Sequence, residues 1–84
     1  MEALDGNAIG GLLLEVFGVE MTNATGVCAH CGSAGELAIL VVYLQGPGTV
    51  VRCRSCEGVL VVIVDRDGVK CVDLRGVAAL ERAD

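Results

Sequence analysis

Aromatic residues are almost absent: Phe17 and Tyr43 are the only two, and there is no tryptophan. Lysine and arginine are missing from the first 51 positions altogether; all six lie between Arg52 and Arg82. His30 is the single histidine and Pro47 the single proline. No apolar run approaches the ~20 residues needed to cross a bilayer; the longest are Leu37–Leu44 and Val59–Val64. Each shortage excludes something. With a net charge of −5, the chain is repelled by phosphate backbones, which argues against nucleic acid as a partner. One histidine, and no G-x-S-x-G, P-loop or dinucleotide fingerprint, leaves an enzyme without machinery. The start, Met-Glu-Ala-Leu-Asp, is acidic where a secretory signal is basic. The expectation is a cytoplasmic, non-catalytic protein outside the membrane.

Cysteine, by contrast, is abundant and patterned. Four of the five fall in two pairs, Cys28-Ala29-His30-Cys31 and Cys53-Arg54-Ser55-Cys56, giving CxxC-x21-CxxC. The spacing sits just beyond the usual window of about 15–20 residues for a four-cysteine zinc site. Two intervening residues let a tight turn aim both sulfurs at one point, and four thiolates close a structural zinc site. Glycine follows each pair, Gly32 directly and Gly58 two residues on, where positive φ would turn the chain away from a metal. An odd cysteine count in a reducing compartment favours metal over disulfides. Redox dithiols normally sit at a helix start, and neither pair precedes a helical pattern. Iron also accepts four thiolates, but a rubredoxin-like electron carrier has an aromatic-rich core that this chain lacks. One Zn²⁺ per chain, on Cys28, Cys31, Cys53 and Cys56, is therefore the expected cofactor. At 84 residues a domain is near the size that needs such a staple.

Along the chain, Leu4, Ala8, Leu12 and Val16, joined by Ile9, Leu13 and Phe17, predict an amphipathic helix within residues 1–18. Asp5 is its candidate N-cap and Gly18 its stop. Gly10 and Gly11 weaken its middle. Alternation at Val19 and Met21 predicts a short strand. Glu36 to Gln45 reads as a strand, Gly46-Pro47-Gly48 as a turn with proline second and glycine third, and Thr49 to Arg52 as the returning strand. A second hairpin follows: Val59 to Val64, the turn Asp65-Arg66-Asp67-Gly68, and Val69 to Leu74. Gly76 opens a predicted final helix, Val77 to Arg82. Strands apolar at successive positions imply cover on both faces, one from each helix or from a second copy of the chain.

Single residues are read conservatively. His30 is an exposed residue of the first turn rather than a ligand. Cys71 is a small buried hydrophobe. Arg52 and Arg54 offset the negative metal centre; the sharper alternative is a basic contact for a partner's acid or phosphate. Asp65 and Asp67 are turn residues, since the later ligands of a calcium loop are missing.

The stretches Leu4-Asp5-Gly6-Asn7-Ala8, Val27-Cys28-Ala29-His30-Cys31-Gly32, Pro47-Gly48-Thr49-Val50-Val51-Arg52-Cys53 and Val72-Asp73-Leu74-Arg75-Gly76 carry a resemblance. The chain resembles, over nearly its whole length, a family of small actinobacterial proteins of unknown function with a zinc-ribbon-like CxxC…CxxC pattern. That resemblance implies the same four metal ligands and brings no activity with it. The expected architecture is α+β: a single domain over residues 1–84. It would be a zinc-ribbon-type antiparallel sheet of two hairpins (27–74), an N-terminal helix (1–18) and a short C-terminal helix (76–82). The expected role is protein–protein interaction or assembly, with a homodimer as one form. The rivals are a nucleic-acid or transcription accessory ribbon and an iron electron carrier.

Overall fold

Valine and isoleucine set the frame. Val59–Arg66 is the longest strand (β6), and its apolar run places it inside a five-stranded antiparallel sheet. The chain folds back through Asp67 and Gly68, at φ 51° and 82°, the pair of positive values that a two-residue hairpin loop requires. Val69–Asp73 (β7) then pairs with β6, Arg66 opposite Val69. On the other side lie Gly48–Arg52 (β5), Val41–Gln45 (β4) and the two-residue Leu4–Asp5 (β1), giving the order β1-β4-β5-β6-β7. A second, three-stranded sheet has the order β3-β2-β8, from Ala34–Glu36, Thr25–Cys28 and Val77–Glu81. The computed structural model describes residues 3–82. Met1 and Glu2, the start of the expected helical segment, and Ala83 and Asp84 at the domain's end lie outside them.

The N-terminal helix is present but shorter than its apolar pattern. Leu4 and Asp5 belong to β1, Gly6–Ile9 is a 3-10 turn, and only Gly10–Phe17 is α-helix (α1). The Asp5 carboxylate caps the 3-10 turn by accepting from the Asn7 N–H at 3.1 Å. Gly18 ends α1 with φ 76° and donates to the Leu14 carbonyl. Ile9 and Leu13 are buried, with Leu12, Val16 and Phe17 packed beside them. Gly11 has open space around it, so the close approach occurs elsewhere: a Cβ on Gly6 would lie 1.7 Å from the Leu37 carbonyl oxygen.

Four expectations are corrected. Val77–Glu81 is strand β8, not a helix; it pairs antiparallel with β2, Gly26 opposite Leu80. Val-Ala-Ala-Leu-Glu tolerates a helix, but β2 needs a second partner for its backbone polar groups, and that tertiary demand outweighs a weak local preference. Val19–Thr22 is not a strand, because the Glu20 carboxylate takes the Thr22 N–H at 2.9 Å and curls the chain. The strand expected over Glu36–Gln45 is broken by a 3-10 turn at Leu37–Ile39 and starts only at Val41. The turn after it is shifted by one: Gln45 pairs with Gly48, so Gly46, at φ 53°, is its second residue and Pro47 its third. A glycine first in a two-residue loop matches strand twist better than the turn expected.

The core lies on one face of the five-stranded sheet. Val42, Val51, Val61 and Ile63 point to that side and are buried, facing Leu13 of α1 and, from the second sheet, Cys28. The other face, with Tyr43, Val50, Val62 and Val64, is half-buried and, among the described residues, has no helix over it. The C-terminal segment expected there lies in the second sheet instead. Cys71, on β7, is exposed on this open face rather than buried, because β7 is the last strand of the sheet among the described residues.

Candidate metal centre

The two cysteine pairs occupy two turns of the same construction. In the first, the Cys28 N–H donates to the Ser33 carbonyl and the Gly32 N–H to the Cys28 carbonyl, both at 2.9 Å. In the second, the Cys53 N–H donates to the Gly58 carbonyl at 2.9 Å and the Glu57 N–H to the Cys53 carbonyl at 3.0 Å. The residue two positions after each leading cysteine aims its N–H at that sulfur: His30 at Cys28 Sγ, 3.3 Å, and Ser55 at Cys53 Sγ, 3.4 Å. Backbone donors directed at sulfur favour the thiolate, the form that binds a metal.

Strand β2 delivers the first turn and β5 the second, and the four sulfurs converge. All four Sγ atoms lie within 4.8 Å of one another. The closest contacts run across the two turns: Cys28 to Cys56 at 3.7 Å and Cys31 to Cys53 at 3.7 Å. Four sulfurs at about 2.3 Å from a tetrahedral ion would be separated by about 3.8 Å along each edge. The donor set and its size therefore fit a tetrahedral metal ion. Cys28 and Cys53 are buried while Cys31 and Cys56 are exposed, so each turn contributes one inward and one outward sulfur.

With no metal charge to balance them, neighbouring thiols cannot all ionise together. Cys31 is held down to about 6, first by its hydrogen bond with the Ser33 hydroxyl and then by the Ser33 N–H. At Cys56 the Gly58 N–H, 3.4 Å from Sγ, pulls down, but burial and the three other cysteines outweigh it and push the thiol up to about 12.

Residues around the ligands tie the turns to each other. His30 is exposed but not idle: its Nε2–H donates to the Val59 carbonyl at 3.2 Å, crossing from the first turn to the exit of the second. Its ring lies over Gly58, where a Cβ would come within 2.6 Å of His30 Cδ2. Gly58 is therefore glycine for space. The positive φ expected there belongs to Glu57, at 62°, in the position that Gly32 holds at 77° in the first turn. Arg52 steadies that strained residue by donating to the Glu57 carbonyl at 2.8 Å, with its guanidinium 6.0 Å from the Tyr43 ring centre. Arg54 is exposed on the outside of the turn. Ser33, Glu57 and the Gly58–His30 contact were not foreseen. Laying Cys-x-x-Cys-Gly-Ser over Cys-x-x-Cys-Glu-Gly would have exposed Glu57, since equal offsets carry equal backbone roles; the other two are side-chain contacts that no offset reveals.

The whole chain, residues 1–84, matches the family of unknown function DUF6510. The protein belongs to that family. Searches of curated proteins and of solved structures return no match. The DUF6510 assignment brings no reaction or ligand with it, so the cysteine cluster is the chemistry from which a role must be argued.

Proposed function

We propose that this DUF6510 chain is a non-catalytic, zinc-ribbon-like module in which one Zn²⁺ on Cys28, Cys31, Cys53 and Cys56 holds a β-sheet surface in shape for contact with another protein. The observation that carries this reading is the pair of 3.7 Å sulfur contacts across the two turns, the edge length of a zinc tetrathiolate. Four thiolates fill the tetrahedron and leave no open position for substrate or water. An aliphatic core, with neither Phe17 nor Tyr43 fully buried, favours zinc over an iron carrier. A metal-ligating cysteine pattern and an odd cysteine count favour a reducing compartment, the cytoplasm. A protein surface is preferred over nucleic acid because net charge is −5 and Arg52 is already engaged by Tyr43 and the Glu57 carbonyl.

Elemental mass spectrometry on untagged protein tests the metal. One zinc per chain in a colourless protein is the expected result; iron would transfer the site to electron transfer, and absence of any metal would overturn the reading. Heparin or DNA columns at low salt should not retain the protein, and salt-sensitive retention would move the function to nucleic acid.

A further inference from the structure

The five-stranded sheet ends on β7, and that edge is unusually undefended. Arg66 and Val69 flank a two-residue loop, so they form a hydrogen-bonded pair, and pairing alternates from there. Cys71 and Asp73 then also bond toward β6, through Val64 and Val62, while Lys70 and Val72 turn their N–H and C=O groups outward. Among the described residues no strand pairs with that side. Native edges are commonly guarded by brevity, charge, proline or a bulge. β1, at the sheet's other end, has two residues, and β3 has three. β7 has five and no proline or bulge. Its lysine is drawn onto the helix side by Glu15 at 3.1 Å and Asp65 at 3.2 Å. Of the seven exposed large hydrophobic residues, Val69 and Val72 lie on this strand, and none lies on β8, the other five-residue edge strand.

We propose that the protein partner is a second copy of this chain, joined edge to edge through β7 in antiparallel register about a two-fold axis at Cys71. This rests on the interaction reading above and names its surface. Outward-facing residues must oppose outward-facing residues, so only registers centred on a single residue are allowed. A centre at Lys70 sets two lysines face to face and pairs only Val69, Lys70 and Cys71 of each strand. A centre at Val72 pairs only Cys71, Val72 and Asp73 of each strand. A centre at Cys71 pairs all five strand residues and sets Lys70 opposite Val72, while Arg75 stays with Asp73 of its own chain at 2.7 Å. The two sheets become one of ten strands with both α1 helices on the same side. Cys71 meets Cys71 of the second copy as a non-hydrogen-bonded pair, with Cα atoms about 4.5 Å apart, within disulfide reach.

The test uses the zinc-loaded full chain. Light scattering after gel filtration at tens of micromolar should give the mass of two chains. Copper–phenanthroline, which removes two electrons and two protons from two thiols, should yield a disulfide-linked dimer that Cys71→Ser abolishes. Val72→Pro deletes an outward N–H that no bond within the monomer uses, and should give a folded monomer with its zinc. Cys71→Arg, placing two cations at the axis, should do the same. A wild-type monomer carrying one zinc per chain overturns the pairing and leaves the metal reading standing. A dimer that survives both substitutions, or that does not cross-link through Cys71, overturns it as well.

Discussion

The two metal turns are the same backbone built from different residues. Each has the leading cysteine's N–H and C=O engaged by residues five and four positions on, and an N–H aimed at the leading sulfur from two positions on. Yet Gly32 corresponds to Glu57, Ser33 to Gly58 and His30 to Ser55. The comparison teaches which residue types the geometry demands. Positive φ is tolerated by a glutamate where Arg52 holds its carbonyl, so glycine at that position is a convenience. Space is not negotiable where the His30 ring crosses Gly58. The first turn reaches over the second through the His30 ring, so the pair is chemically symmetric at the sulfurs and asymmetric around them.

The largest break is removal of the metal or a ligand. Structural zinc contributes on the order of 10–16 kcal/mol of apparent binding energy in small zinc fingers, against a typical net stability of about 5–15 kcal/mol. Chelation, or Cys28→Ser and Cys53→Ser, should collapse the circular dichroism spectrum and the thermal transition. Cys31→Ser and Cys56→Ser, at the exposed corners, should cost less, and an unchanged spectrum after complete chelation would refute a stabilising metal. Next comes Gly58→Ala, which drives a methyl into the His30 ring and should cost about 1–3 kcal/mol. His30→Ala in the same chain should recover part of it, a non-additivity that thermal melts can read.

Exchanging the residues at positive φ sharpens the comparison further. Glu57→Gly should stabilise the zinc-bound protein by about 1 kcal/mol and Gly32→Ala should destabilise it by a similar amount; equal melting temperatures would mean that the two φ values carry no strain. The smallest effect concerns protons. Cys31 is already ionised near neutrality, whereas the metal must displace the proton from Cys56, so apparent affinity should rise with pH and binding should release protons. Ser33→Ala returns Cys31 toward its ordinary value near 9. That variant should release about one more proton per metal at pH 7.5, measured by calorimetry in buffers of different ionisation enthalpy.

Local chemistry was legible in the sequence wherever a residue answers to its neighbours along the chain. The cysteine pairs and the Gly18 helix stop are of this kind, as is the turn expected over Asp65–Gly68, which the structure narrows to Asp67 and Gly68 because β6 runs on to Arg66. What escaped was decided by partners distant in sequence. Val77–Glu81 is a strand because β2 lacked a second neighbour. Leu37, read as the second residue of a strand, sits in a turn that packs its backbone against Gly6 and gives its N–H to the Ala24 carbonyl. The role of Gly58 depends on a ring 28 residues earlier in the chain, and the exposure of Cys71 on β7 being the sheet's edge.

Zinc X-ray absorption on the purified protein tests the closed tetrathiolate most directly. A single shell of four sulfurs at about 2.3 Å is the predicted result. A nitrogen or oxygen in that shell, whether from His30 or water, would contradict a closed site and reopen catalysis.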